Sequence, residues 1–137
     1  RATLRPAIST TRPAAMLAST DKTPFLVAVE LATRYPGVEL STSYGTPALK
    51  EDGKVLARLR SEAEGWMVTR CDMLERDMLL SAAPHVFHLT EHYVNYPMVL
   101  IDLAQIHREA LADILEKAWR HSASAARIRE HETRLTQ

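Results

Sequence analysis

The chain has 137 residues, 46% of them hydrophobic and 25% charged, with 17 Lys/Arg balancing 17 Asp/Glu. That is the length of one domain, enough to bury a core without disulfides or metal. No apolar run approaches the roughly 18 residues of a membrane helix, and a lone cysteine, Cys71, cannot form an internal disulfide, so the expected setting is reducing and cytoplasmic, with no membrane partner.

Charge is spread unevenly: net +3 over residues 1–22, −4 over 23–121 and +1 over 122–137. Residues 1–22 show no hydrophobic period and are rich in Ala, Ser, Thr and Arg, with Pro6 and Pro13. Three readings compete: a flexible N-terminal tail, which is the plainest, a transit-type peptide, and an over-long start with Met16 as the initiator. A secretory signal does not fit, because Ala14-Ala15-Met16-Leu17-Ala18 is too short for its apolar region.

Thr23-Pro24 predicts a helix start, a capping hydroxyl with proline at the first helical position. Tyr35-Pro36-Gly37 stops that helix. Val38 to Tyr44 reads as a strand interrupted by Gly45-Thr46-Pro47. Asp52-Gly53 is a hairpin signal, followed by a strand with Val55, Ala57 and Leu59 on one face and Arg58 and Arg60 on the other. Trp66 to Cys71 completes an antiparallel meander. Asp72, with Glu75 three residues on, resembles a capping box opening a helix that carries Met73, Leu74, Met78 and Leu79. Val86–Thr90 and Met98–Leu103 read as two further strands. A final helix runs from about His107 to His121, with Leu111, Ile114, Leu115, Ala118 and Trp119 in one stripe. Residues 122–137 read as a polar C-terminal tail that extends this helix weakly and frays. The order predicts an α+β two-layer sandwich, an antiparallel sheet with helices packed on one face, over a domain spanning 23–121.

These elements carry particular residues: Arg34-Tyr35-Pro36-Gly37, Ser43-Tyr44-Gly45-Thr46-Pro47-Ala48-Leu49-Lys50, Lys54-Val55-Leu56-Ala57-Arg58-Leu59, Arg70-Cys71-Asp72, Thr90-Glu91-His92-Tyr93 with Tyr96-Pro97, and Ala118-Trp119-Arg120. In order and spacing they resemble the MmcQ/YjbR family, over roughly residues 25 to 121. The resemblance implies a compact α+β domain like the secretion-chaperone and frataxin-like folds. Members are often labelled DNA-binding, and no catalytic residues carry over. One branch has an Asn-Lys-x-x-Trp signature; here His92-Tyr93-Val94-Asn95-Tyr96-Pro97 holds neither lysine nor tryptophan.

The densest polar and aromatic stretch is 85–101, with half of the six histidines and two of the four tyrosines. His85, His88 and His92 invite a metal reading, but strand alternation sends 85 and 88 to opposite faces and no cysteine or acid cluster joins them. Thr90, His92 and Tyr93 lack the third group and oxyanion hole of a nucleophilic site. The plainer reading is a turn held by its own side chains. Cys71, before a helix start, is either a reactive thiol or a small buried hydrophobe, and burial is the commoner outcome. Arg58, Arg60 and Arg70 with Trp66 fall on one sheet face, where arginines beside an aromatic bind phosphate and stack on bases. They serve equally as a solvated face paired with Glu62 and Glu64.

The expectation is a small binding module, not an enzyme, without cofactor or metal. DNA is the partner the resemblance implies, with Arg58, Arg60, Trp66 and Arg70 as its contacts. The net acidity of 23–121 weighs against that partner. The alternative is a protein-interaction or homodimerising module. It would use the open sheet face or a recognition edge of Thr46, Pro47, Thr90, His92, Tyr93, Tyr96 and Pro97.

Overall fold

The computed structural model of the chain describes residues 24–136. The N-terminal readings of 1–22 and the Thr23 cap lie outside those residues. Helix α1 (Pro24–Ala32) is followed by strands β1 (Val38–Ser43), β2 (Thr46–Glu51), β3 (Lys54–Ser61) and β4 (Trp66–Arg70), then helix α2 (Met73–Ala82). Strand β5 (Phe87–His88), a 3-10 turn (Glu91–Tyr93) and β6 (Met98–Asp102) lead to α3 (Arg108–Ser122) and α4 (Ala125–Leu135). The six strands form one antiparallel sheet in the order β1-β2-β3-β4-β6-β5. With helices against one face, this is the expected α+β two-layer architecture.

Two tight turns build the meander. Asp52 (φ 48) and Gly53 (φ 85) both take positive φ, the geometry that matches the twist of paired strands. Tyr44 (φ 52) and Gly45 (φ 79) do the same. The Gly45-Thr46-Pro47 interruption is therefore a second hairpin, and Thr46 and Pro47 already belong to β2, opposite Ser43 and Thr42.

The core lies between the sheet and the α1–α3 pair. Leu49, Ala57, Met67, Val99 and Ile101 from the strands meet Phe25, Ala28 and Leu31 of α1 and Leu111, Ile114 and Leu115 of α3. The whole apolar stripe predicted for α3 is buried. Trp119 sits at its end, fully buried, with Nε1 donating to Pro36 O at 2.9 Å, so the indole is inserted without leaving a polar atom orphaned.

Strict alternation fails in β3. The register passes from Lys50↔Val55 to Leu49↔Ala57, so Leu56 is an extra residue in a bulge. Leu56 is buried against Ala118 and Trp119, while Val55 is only partly buried. A second bulge, at Arg60, shifts the β3–β4 register.

Residues 124–136 do not simply fray. Ser124 caps α4 by accepting from Arg127 N at 3.2 Å, and the helix folds back over Trp119. Ile128 packs on Trp119, His131 lies 4.9 Å from the Tyr35 ring, and Arg127 pairs with Asp52 at 3.1 Å. The Asp72 cap of α2 is present, its carboxylate accepting from Leu74 N and Glu75 N. The helix faces otherwise than its apolar residues suggest: Leu74 and Met78 are exposed, whereas Arg76 is buried.

Candidate functional site

Antiparallel register decides which side chains share the face opposite α1 and α3. Arg58 of β3 pairs with Val68 of β4, and Trp66 and Arg70 flank Val68 two residues either way. Arg58, Trp66 and Arg70 therefore stand together on this face, and the Arg60 bulge lies beside the Ser61↔Trp66 pair. His88 of β5 reaches the same face and stacks on Trp66 with ring centroids 4.1 Å apart and planes within 9°.

The arginines are held in place but not used up. Arg58 Nη2 donates to the Tyr93 hydroxyl at 3.2 Å, and its guanidinium lies over the Tyr44 ring at 5.4 Å. Arg70 Nε donates to Val55 O at 3.4 Å, a carbonyl near the first bulge. Arg60 pairs with Glu64 at 3.6 Å across the β3–β4 turn, a half-exposed contact of small energetic weight. Tyr44 is 92% exposed at the hairpin tip.

Tyr93 is brought to Arg58 by an unusual support. The Arg76 guanidinium, buried under the 90–97 turn, donates from Nη1 to Tyr93 O and Tyr96 O and from Nη2 to Val94 O, at 2.8–3.2 Å. A short 3-10 turn leaves several carbonyls pointing one way, and a planar cation with a fork of donors matches them. Arg76 Nε is buried without a hydrogen bond, its nearest acid being Asp77 at 3.6 Å. Arg76 and Tyr44 were missed from the sequence. A charged residue within a helix reads as a solvated one, and a tyrosine beside glycine reads as a strand end.

The three histidines go separate ways. His85 is exposed, His88 stacks on Trp66, and His92 is exposed with its ring against Tyr93 and Tyr96. Among the described residues no group of three or more His, Cys, Asp or Glu is placed to hold a metal ion. Cys71 is half-buried, and burial pushes its thiol up to about 11, with Glu75 and Asp72 adding to the effect. Desolvation of the thiolate works against the activation that a helix start offers.

The residues expected to form a recognition edge are distributed. Thr46 Oγ1 bonds Ser43 O within the hairpin. Pro47 lines an apolar groove of about 340 Å³ on the helix side, with Phe25, Leu26, Leu40 and Leu59. Pro97 lines a cavity of about 140 Å³ with Cys71, Glu75, Lys117 and His121. Thr90 precedes the 3-10 turn without a side-chain cap bond. Of the seven, the hydroxyl of Tyr93 meets the arginine face, while His92 and Tyr96 surround it.

No family model and no curated protein matches this chain. Among solved structures, the chain is similar to the Deinococcus radiodurans protein DR2400, whose family-model domain is DUF419. The TM-score is 0.58 and the identity 14%, over 75% of this chain and 83% of that one. At that identity the likeness is one of fold, and it agrees with the α+β sheet-and-helix architecture described above. No helix among the described residues is long and apolar enough to cross a membrane.

Proposed function

We propose that this chain is an MmcQ/YjbR-type binding module that takes nucleic acid, as a single DNA strand, on the sheet face opposite α1 and α3. The motif order supports the family reading, and so does the structural neighbour, since DUF419 is related to the MmcQ/YjbR fold. The observation that carries the ligand is the register. It sets Arg58 opposite Val68, with Trp66 and its stacked His88 to one end of that row, Arg70 to the other and Arg60 at the neighbouring bulge. Guanidiniums beside aromatic rings, half-buried at Trp66 and exposed at Tyr44, suit a backbone with unstacked bases better than a duplex groove. The acidic balance of 23–121 is only partly turned away from this face: Asp113, Glu116, Glu75 and Asp77 stand on the helices, whereas Asp102 lies opposite Trp66 and Glu64 pairs with Arg60. The module binds without turnover, in a cytoplasmic setting.

Fluorescence anisotropy with labelled single- and double-stranded oligonucleotides across a salt series tests this. Three arginine–phosphate contacts to a single strand give log K against log salt a slope of about −2. Trp66→Ala lowers single-strand affinity by about 1–3 kcal/mol through lost stacking. Arg70→Ala flattens the salt slope. Absence of binding at low salt, or binding indifferent to salt, removes the reading and leaves the protein-interaction alternative.

A further inference from the structure

The sheet has two edges, and they differ. β5 is only two residues long, which leaves little backbone to pair. β1 is six residues, Val-Glu-Leu-Ser-Thr-Ser, with no lysine, no proline and an unbroken register against β2. Of the usual devices that blunt an edge strand it carries one charge, Glu39, and among the described residues no lysine, proline or bulge.

Parity shows which backbone groups of β1 are free. A two-residue turn at Tyr44-Gly45 makes Ser43↔Thr46 a hydrogen-bonded pair, so Ser43, Ser41 and Glu39 point their N–H and C=O groups toward β2. The bond from Asp52 N to Gly37 O at 3.3 Å continues the same parity. Val38, Leu40 and Thr42 then point outward. The Val38 N–H is taken by Tyr35 O at 3.2 Å, leaving the N–H groups of Leu40 and Thr42 as donors without a partner among the described residues. Leu40 is 51% exposed on the helix side, where it borders the 340 Å³ groove beside Leu26.

We propose that β1 pairs with β1 of a second copy, antiparallel about a twofold axis through Leu40, joining two sheets into one. In that register Leu40 faces its own copy as a hydrogen-bonded pair, and each Thr42 N–H donates to Val38 O of the other chain, about four interchain bonds in all. The strand is self-complementary in charge. Glu39 falls opposite Ser41, so the strand's one acid never meets its symmetry mate. Side chains also match: the two Leu40 residues meet on the helix side and close the open end of each groove. A strand that offers donors, acceptors, an apolar centre and no like-charge clash to its own copy fits itself better than an arbitrary extended peptide.

Sedimentation velocity on the full chain over a concentration series reads the assembly. The expected result is a reversible monomer–dimer equilibrium. Thr42→Pro removes an outward donor without touching a β1–β2 bond, and yields a monomer with unchanged circular dichroism. Charge swaps at Ser41 test the register. Ser41→Lys places a cation opposite Glu39 twice per dimer and tightens it, Ser41→Glu weakens it, each by about two- to thirtyfold, and salt erases both effects. A chain that stays monomeric at millimolar concentration overturns the proposal. So does a dimer that ignores Thr42→Pro, or one that responds alike to both Ser41 variants.

Discussion

Removing the Arg76 guanidinium would leave the carbonyls of Tyr93, Val94 and Tyr96 converging without a donor. An orphaned buried acceptor costs about 1–3 kcal/mol, and these part-buried carbonyls can relax toward water and recover some of it. Arg76→Met is therefore expected to destabilise the fold by about 2–4 kcal/mol in urea denaturation. Arg76→Lys should recover only part, since a point ammonium lacks the planar fork that serves three carbonyls. The Arg58–Tyr93 contact should loosen with the turn, so oligonucleotide affinity should fall in Arg76→Lys even where it remains folded. Glu51 offers the opposite sign. It is 1% exposed with Oε1 unpaired, and its carboxyl is held above the usual carboxylate range by burial first and by hydrogen bonding to Asp52 second. Asp52 shifts the other way, lowered by that bond and by Arg127. An acid that holds its proton more tightly in the folded chain stabilises below its unfolded pKa of about 4.3, and loses that contribution as pH rises through the raised folded value. Glu51→Gln stays a neutral donor at every pH. It should raise the thermal midpoint at pH 7, and the gain should vanish below about pH 4. A midpoint that is unchanged or lower at pH 7 would count against a buried, reluctantly ionised Glu51.

Helix α4 is the element whose stability is most separable from the rest. Its exposed face is charged, with Arg134–Glu130 and Arg127–Glu130 pairs, and it reaches the domain through Ile128, His131, Arg127 and the Arg120–Glu132 contact. Ser124→Ala removes the cap and should cost about 1 kcal/mol. Hydrogen exchange over 125–135 should quicken about fivefold while α3 amides stay protected, because the helix opens locally before the core does. A uniform loss of protection across α3 and α4 would mean that they open as one unit. That helix was illegible in the sequence because its anchors, Ile128 and the ring of His131, are too few to make an apolar stripe. α3 was legible because five buried residues repeat at helical spacing over a long run. The Asp52-Gly53 turn announced itself, whereas Tyr44-Gly45 needed a tyrosine at φ 52, a conformation uncommon outside glycine, asparagine and aspartate. In β3 the alternation that put Val55 inward was broken by a bulge, a tertiary choice that lets Leu56 reach Trp119. The arginine face was readable because it depends only on pairing register between neighbouring strands. Its support was not, because Arg76 is buried by carbonyls 17 to 20 residues away.

At the scale of the whole molecule the proposed dimer would couple the sheet edge and the sheet face by symmetry. A twofold axis perpendicular to the joined sheet keeps the helices of both copies on one side, and so puts both arginine faces on the other. Counting strands from β3 through β2 and β1 into the second copy gives five spacings, so the two Arg58 residues stand about 24 Å apart. A single strand long enough to cross that distance can engage both faces, and the second engagement is intramolecular. Linked binding of this kind raises apparent affinity by about 10²- to 10⁴-fold when the ligand spans the sites, and not at all when it cannot. Affinity measured against oligonucleotide length should therefore rise in a step rather than smoothly. Thr42→Pro should abolish the step while leaving short-oligonucleotide affinity intact, because the outward donor it removes is remote from Arg58 and Trp66. Arg58→Ala should lower affinity on both sides of the step, because it acts within each face. A smooth length dependence in the wild-type chain would separate the two ideas: the face would still bind nucleic acid, but the copies would not present their faces together.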